Sequence, residues 1–138
     1  MIHTITIRTR SQGIYEFTDA VNQFIGEAGV SSGLCTVLVQ HTSASLTIQE
    51  NADPSARRDL MNWLERMVPE NDPHYTHTAE GPDDMPAHIK SMLTQTSLSI
   101  PIERDRLALG TSQGLFLLEH RYAPHSRTIK IHVYRDQS

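Results

Sequence analysis

Three short stretches concentrate side chains able to ligate a metal, move a proton or hold an anion: HTSAS at 41–45, DDMPAHIK at 83–90 and EHR at 119–121. In the first, His41 leads a run of hydroxyls and small side chains. Backbone N–H groups and the hydroxyls of Thr42 and Ser43 can approach an anion closely there. The same run also fits a polar turn between two antiparallel strands. In the second, Asp84 and His88 stand four apart, on one face of a helix. That spacing suits a carboxylate orienting an imidazole, two ligands to one metal, or an ordinary surface ion pair. In the third, Glu119, His120 and Arg121 close the most apolar strand of the chain, where an unpaired ionisable group is costly. They form either a satisfied internal ion pair or the wall of a site. Glu50 and Asn51, in QEN at 49–51, sit at a strand end where helix-entry chemistry is the simplest role. His77 precedes Glu80-Gly81 and a helix start, whereas His74 belongs to a loop. His132 lies on a polar strand face, and His3 and His125 carry no spacing signal.

The elements that must position these groups follow from periodicity. Residues 3–9 alternate, with His3, Ile5 and Ile7 on one side, and predict a half-buried strand. Ser11-Gln12-Gly13 reads as a turn into a second short strand over 14–17, which suggests a hairpin. Thr18 is placed to cap a helix carrying Val21, Phe24, Ile25 and Ala28, with Gly29 as its stop. Strands follow at 34–40 and 44–49. Asp53-Pro54 opens a second helix with Leu60, Met61, Leu64, Met67 and Val68 as its apolar stripe. Asp83 is a suitable cap for a third helix, with Asp84 and Pro86 in its first turn. Strands at 97–102, 115–121 and 128–135 complete the chain. Strands grouped in pairs around about three helices, without β-α-β alternation, predict an α+β fold: one compact domain over 1–138 with a largely antiparallel sheet.

Bulk properties narrow the function classes. A chain of 138 residues with 38% hydrophobic content fits one domain that folds without staples. The net charge of -4 and the scattered basic residues argue against nucleic acid, while leaving room for a small phosphorylated ligand. No apolar run suits a membrane span and the first residues alternate, so neither a membrane helix nor a signal peptide is expected. The single Cys35 excludes an internal disulfide, fits a cytoplasmic location and reads as a small buried hydrophobe.

Taken in order, HTSASLTIQENADP (41–54), HTAEGPDDMPAHIKSML (77–93), SLSIPI (97–102) and LGTSQGLFLLEHR (109–121) resemble the YjbQ-like family, also described as secondary thiamine-phosphate synthases. The resemblance spans nearly the whole chain. It implies a compact α+β fold, a homotrimer with polar clusters near subunit boundaries, and a weak synthase activity. That activity joins a pyrimidine pyrophosphate to a thiazole phosphate and releases pyrophosphate. The resemblance singles out His41, Thr42, Ser43, Glu50, Asn51, His77, Asp84, His88, Glu119, His120 and Arg121. Three positions depart from the family pattern: Ser112 replaces a tryptophan, Gln49 an asparagine and Asp105 a glycine.

For such a reaction the site must stabilise charge on departing oxygens. Thr42, Ser43, Lys90 and Arg121 are the candidate phosphate donors. His41, His88 and His120 are the candidate metal ligands, with Asp84 or Glu119 orienting an imidazole; the divalent cation is magnesium or zinc. Catalytic roles fall to His41, Asp84, His88, Glu119, His120 and Arg121, with Glu50, Asn51 and His77 in support. The alternatives are a non-enzymatic trimer that binds a metal or phosphorylated metabolite, and a metal-dependent phosphohydrolase.

Overall fold

A computed structural model describes residues 1–137. The order is β1 (Ile2–Thr9), β2 (Gly13–Glu16), α1 (Thr18–Ala28), β3 (Gly33–Val39), β4 (Ala44–Glu50), α2 (Pro54–Met67), α3 (Asp84–Leu93), β5 (Ser97–Glu103), β6 (Arg106–Leu107), β7 (Gln113–Glu119) and β8 (His125–Arg135). The strands form two antiparallel sheets, one ordered β1-β8-β3-β5-β6 and the other β2-β7-β4. Their facing sides bury Cys35, Val37, Ile129, Ile131 and Val133 against Ala44, Leu46, Leu115 and Leu117, with Val21 and Ile25 of α1 completing the core. Burial raises the Cys35 thiol to about 11, so it packs as a hydrophobe.

The α+β class, the three helices and the antiparallel pairing stand as the sequence predicts, but two local pairings do not. β1 pairs with β8 and β2 with β7, so residues 10–12 carry the chain between sheets and make no hairpin. The HTSAS turn is likewise a crossing: β3 pairs with β5 and β8, and β4 with β7. The reason is burial. A local hairpin would put the apolar rows of β3 and β4 side by side, whereas crossing sets them face to face across the core.

Helix ends follow local chemistry except at Thr18 and Asp83. Asp53 accepts the Ser55 N–H as a cap ahead of Pro54, and Gly29 closes α1 with φ 68. Thr18 is the first helical residue, not the cap; its hydroxyl donates to Glu16 Oε2 and accepts the Leu115 N–H. The apolar stripe of α2 is only partly used: Leu64 and Val68 are buried, while Leu60 and Met67 stay exposed. Asp105 takes φ 68, so the β5–β6 turn keeps the left-handed backbone that a glycine there would adopt. Among the described residues, no helix is long and apolar enough to cross a membrane.

Among the glycines, Gly33 meets the neighbouring backbone most closely. A Cβ there would stand 2.0 Å from the carbonyl oxygen of Tyr134 on the neighbouring strand. Gly33→Ala is therefore expected to destabilise the chain by about 1–3 kcal/mol in urea denaturation, through forced separation of β3 and β8. Unchanged stability would contradict this packing.

Candidate functional site

Helix α3 turns a polar face inward. Asp84, Lys90 and Ser91 are buried beside Pro86 and Ala87, and this face lies against the start of β4. Asp84 is the centre. Its Oδ2 lies 2.6 Å from His77 Nε2 and 3.1 Å from His88 Nε2, while Oδ1 accepts from Arg121 Nη1 at 2.6 Å. Arg121 also donates through Nε to Asp83 and through Nη2 to the Glu80 carbonyl. Asp83 occupies the cap position but makes no side-chain cap bond, because its carboxylate accepts from Arg121 and from the Tyr122 N–H. The guanidinium thus fixes the 77–84 loop and the helix start together, a planar fork serving two carboxylates.

Glu80 joins from the loop, with Oε2 3.6 Å from His77 Nε2. Among the described residues, His77, Glu80, Asp84 and His88 bring one ligand atom each within 4.8 Å of one another. Burial would raise the Asp84 carboxyl, yet its hydrogen bond with His77 and the charges of His88 and Arg121 hold it below the ordinary range. It is anionic at neutral pH. His88 Nδ1 faces the Thr42 carbonyl at 3.0 Å, an acceptor only, so Nδ1 carries a proton. That bond aims Nε2 at the cluster, the arrangement by which outer groups orient a ligating imidazole. Two imidazoles and two carboxylates make a mixed nitrogen and oxygen donor set that suits zinc or a similar first-row dication better than magnesium.

The three-imidazole set of His41, His88 and His120 is not drawn together. His41 Nε2 accepts the Thr128 N–H at 2.8 Å, and burial with the nearby Arg127 charge lowers its pKa. His120 is fully buried on the opposite face of β7 from Glu119, with Nε2 2.8 Å from Ser45 Oγ. Burial, then the Lys90 charge, lowers the His120 pKa to about 3, so it stays neutral at physiological pH. Lys90 is likewise withdrawn from phosphate duty: its Nζ lies 2.6 Å from Glu65 Oε2, pinning α3 to α2. Glu119 points between the sheets, where it accepts from Thr9 Oγ1, from the Arg121 N–H and twice from Arg127. Arg127 Nη2 also reaches Ser43 Oγ at 3.0 Å. Glu50 accepts the Ala52 and Asp53 N–H groups, which is helix-entry chemistry, and Asn51 donates to Glu16 and Gln113. Glu50 lies at the other end of β4, six ladder positions from Ala44 or roughly 20 Å, and Asn51 directly follows it.

Sequence reasoning missed Glu80, Glu65 and Arg127. Glu80 had a signal, three residues after His77 and four before Asp84. Arg127 had one too, because alternation with Ile129, Ile131 and Val133 places a charge on the buried side of β8.

A sequence profile described as UPF0047 protein YjbQ-like matches residues 3–136. The chain belongs to this family. It is 50% identical over 129 residues to the UPF0047 protein sll1880 of Synechocystis, covering 94% of this chain and 88% of that one. It is 46% identical over 127 residues to the UPF0047 protein YjbQ of Escherichia coli O157:H7, covering 91% of each. Among solved structures, an uncharacterised YjbQ/UPF0047 protein from Clostridium acetobutylicum superposes with a TM-score of 0.85 at 33% identity, covering 97% of this chain and 99% of that one. The Clostridium structure shares the fold that carries the cluster here.

The buried imidazole gives a pH test. His120 titrates near 6.5 when unfolded and near 3 when folded, so between those values the unfolded chain binds the extra proton and stability falls as pH drops. Glu119, held below its ordinary 4.5 against the opposing effect of burial, adds to the loss as pH falls below that value. Denaturant unfolding at pH 5 and pH 7 is expected to show a His120 contribution on the order of 2 kcal/mol. A folded His120→Gln variant flattens this slope, and equal slopes in both proteins would refute the assignment.

Proposed function

We propose that His77, Glu80, Asp84 and His88 hold a divalent cation and that the chain acts on a phosphorylated small molecule beside it. The observation that carries this reading is the meeting of two imidazoles and two carboxylates around one buried Asp84, next to the donor-rich 42–43 segment. Such a cation, when bound, supplies Lewis-acid neutralisation of phosphate oxygens.

The reaction we favour is the synthase-type transfer that the family resemblance implies. The pyrimidine-methyl C–O bond breaks with its electron pair leaving on pyrophosphate, and the thiazole nitrogen lone pair forms the new C–N bond. In this scheme Arg121 positions Asp84, the Thr42 carbonyl orients His88, and the hydroxyls of Thr42 and Ser43 receive the departing oxygens. The family resemblance also supports a homotrimer, in keeping with Ile2, Leu34, Leu38 and Tyr134 exposed on the outer face of the larger sheet, and the single Cys35 supports a cytoplasmic location. Ser112 favours a second reading, phosphate-ester hydrolysis or binding by the same cluster, because it offers no stacking surface for a ring.

Metal titration and turnover separate these. Wild-type protein is expected to bind one zinc or manganese ion per chain, with His88→Ala and Asp84→Asn at least tenfold weaker. With both thiamine precursors and the metal, wild-type protein releases pyrophosphate and His88→Ala retains less than a tenth of the rate. Failure to take up any dication removes the metal reading. Equal turnover in the two proteins removes His88 from the mechanism, and release of phosphate from a phosphomonoester alone favours hydrolysis.

A further inference from the structure

Resting on that reading, we infer that Arg127, Ser43 and His41 form the anion subsite that takes the substrate's phosphate or pyrophosphate group. The cations first suited to this role are already committed, Lys90 to Glu65 and Arg121 to Asp83, Asp84 and the Glu80 carbonyl. Arg127 is different. Its side chain is only 4% exposed, its Nε and Nη2 donate to Glu119, and Nη2 also reaches the carbonyl and hydroxyl oxygens of Ser43. Nη1, with two N–H groups, has no partner among the described residues. Among the described residues, His120 Nδ1 is the one fully enclosed side-chain polar atom without a partner, so Arg127 Nη1 is not sealed from solvent. A nearly buried guanidinium edge with unfilled donors is a place where an oxyanion replaces little water and gains charge-assisted bonds.

Two further donors share the segment. Ser43 Oγ accepts from Arg127, leaving its own proton to donate outward. His41 Nε2 accepts the Thr128 N–H, so in the neutral ring Nδ1 is the donor. The carboxylate behind them, Glu119, is saturated by donors from Thr9, Arg121 and Arg127, which offsets its repulsion of an incoming anion. His125 is the remaining titratable neighbour, with Nδ1 bonded to the Ala123 carbonyl and 4.0 Å from Glu119 Oε1. The subsite and the carboxylate–imidazole cluster are joined by adjacent residues: the Thr42 carbonyl holds His88, and the Ser43 hydroxyl meets Arg127. A substrate phosphate bound at Arg127 therefore lies one residue along the chain from the carbonyl that orients His88, whose Nε2 faces the cation cluster.

The test is calorimetric titration of inorganic pyrophosphate, and separately of inorganic phosphate, into protein kept in chelator. Wild-type protein and the cation-cluster variant His88→Ala are expected to bind pyrophosphate alike. Arg127→Lys and Ser43→Ala each weaken binding about tenfold or more. Ser43→Ala leaves the Glu119–Arg127 pair intact, so it decides the matter if Arg127→Lys does not fold. Binding that appears only when zinc or manganese is restored would place the anion on the cation, overturning the subsite while leaving the proposed function standing. Absence of binding under both conditions, or equal affinity in wild type, Arg127→Lys and Ser43→Ala, also overturns it.

Discussion

The Glu119–Arg127 pair, closed off between the two sheets, is the constraint on which the working end of the molecule depends. Two charges removed from water cost several kcal/mol each before pairing, and only a saturated set of partners offsets that. The set here comes from separate parts of the chain: Thr9 ends β1, Arg121 follows β7, Arg127 opens β8 and Ser43 lies in the crossing to β4. Satisfying one carboxylate therefore fixes the ends of both sheets relative to one another. The main apolar core sits farther along the same strands, so the pair acts as a polar plug at the end of a dry interior.

From that plug the polar architecture spreads in two directions. One branch runs through Arg121 to Asp83 and Asp84 and organises the loop and helix start. The other runs through Ser43 and Thr42 to His88. Because both branches end on α3, the helix is held at its first turn and along its inner face. Lys90 with Glu65, and Thr94 with Ser45, secure its later turns. A helix whose buried face is polar owes its position to specific bonds more than to apolar area, so its geometry is exact where its stability is modest.

Much of the fold was legible because alternation and helical spacing are local. Ile5 and Ile7, or Val21 and Ile25, announce their elements without reference to any partner. Pairing was not legible. β1 finds β8 more than a hundred residues away, and the turn chemistry of Ser11-Gln12-Gly13 says nothing about which sheet receives the next strand. The site shows the same division. Asp84 and His88 were visible as a helical pair, and His77 as a loop residue poised before the helix. Alternation set His120 on the opposite side from Glu119, but the separation of His41 and His120 from the cluster was not visible, because it depends on the 41–45 segment crossing between layers. The charge of Arg121 suggested a ligand-binding role, but only its three acceptors reveal a residue already occupied with holding others in place.

The length of β4 and β7 limits which molecules these motifs can share. Asn51 and Ser112 lie at one end of the ladder, and Ser43 with Glu119 at the other, roughly 20 Å apart. A ligand the size of a single heterocycle with one phosphate cannot touch both ends of one chain. Within one chain the two polar ends are separate addresses, and a compact ligand could engage both only where two copies of the chain met.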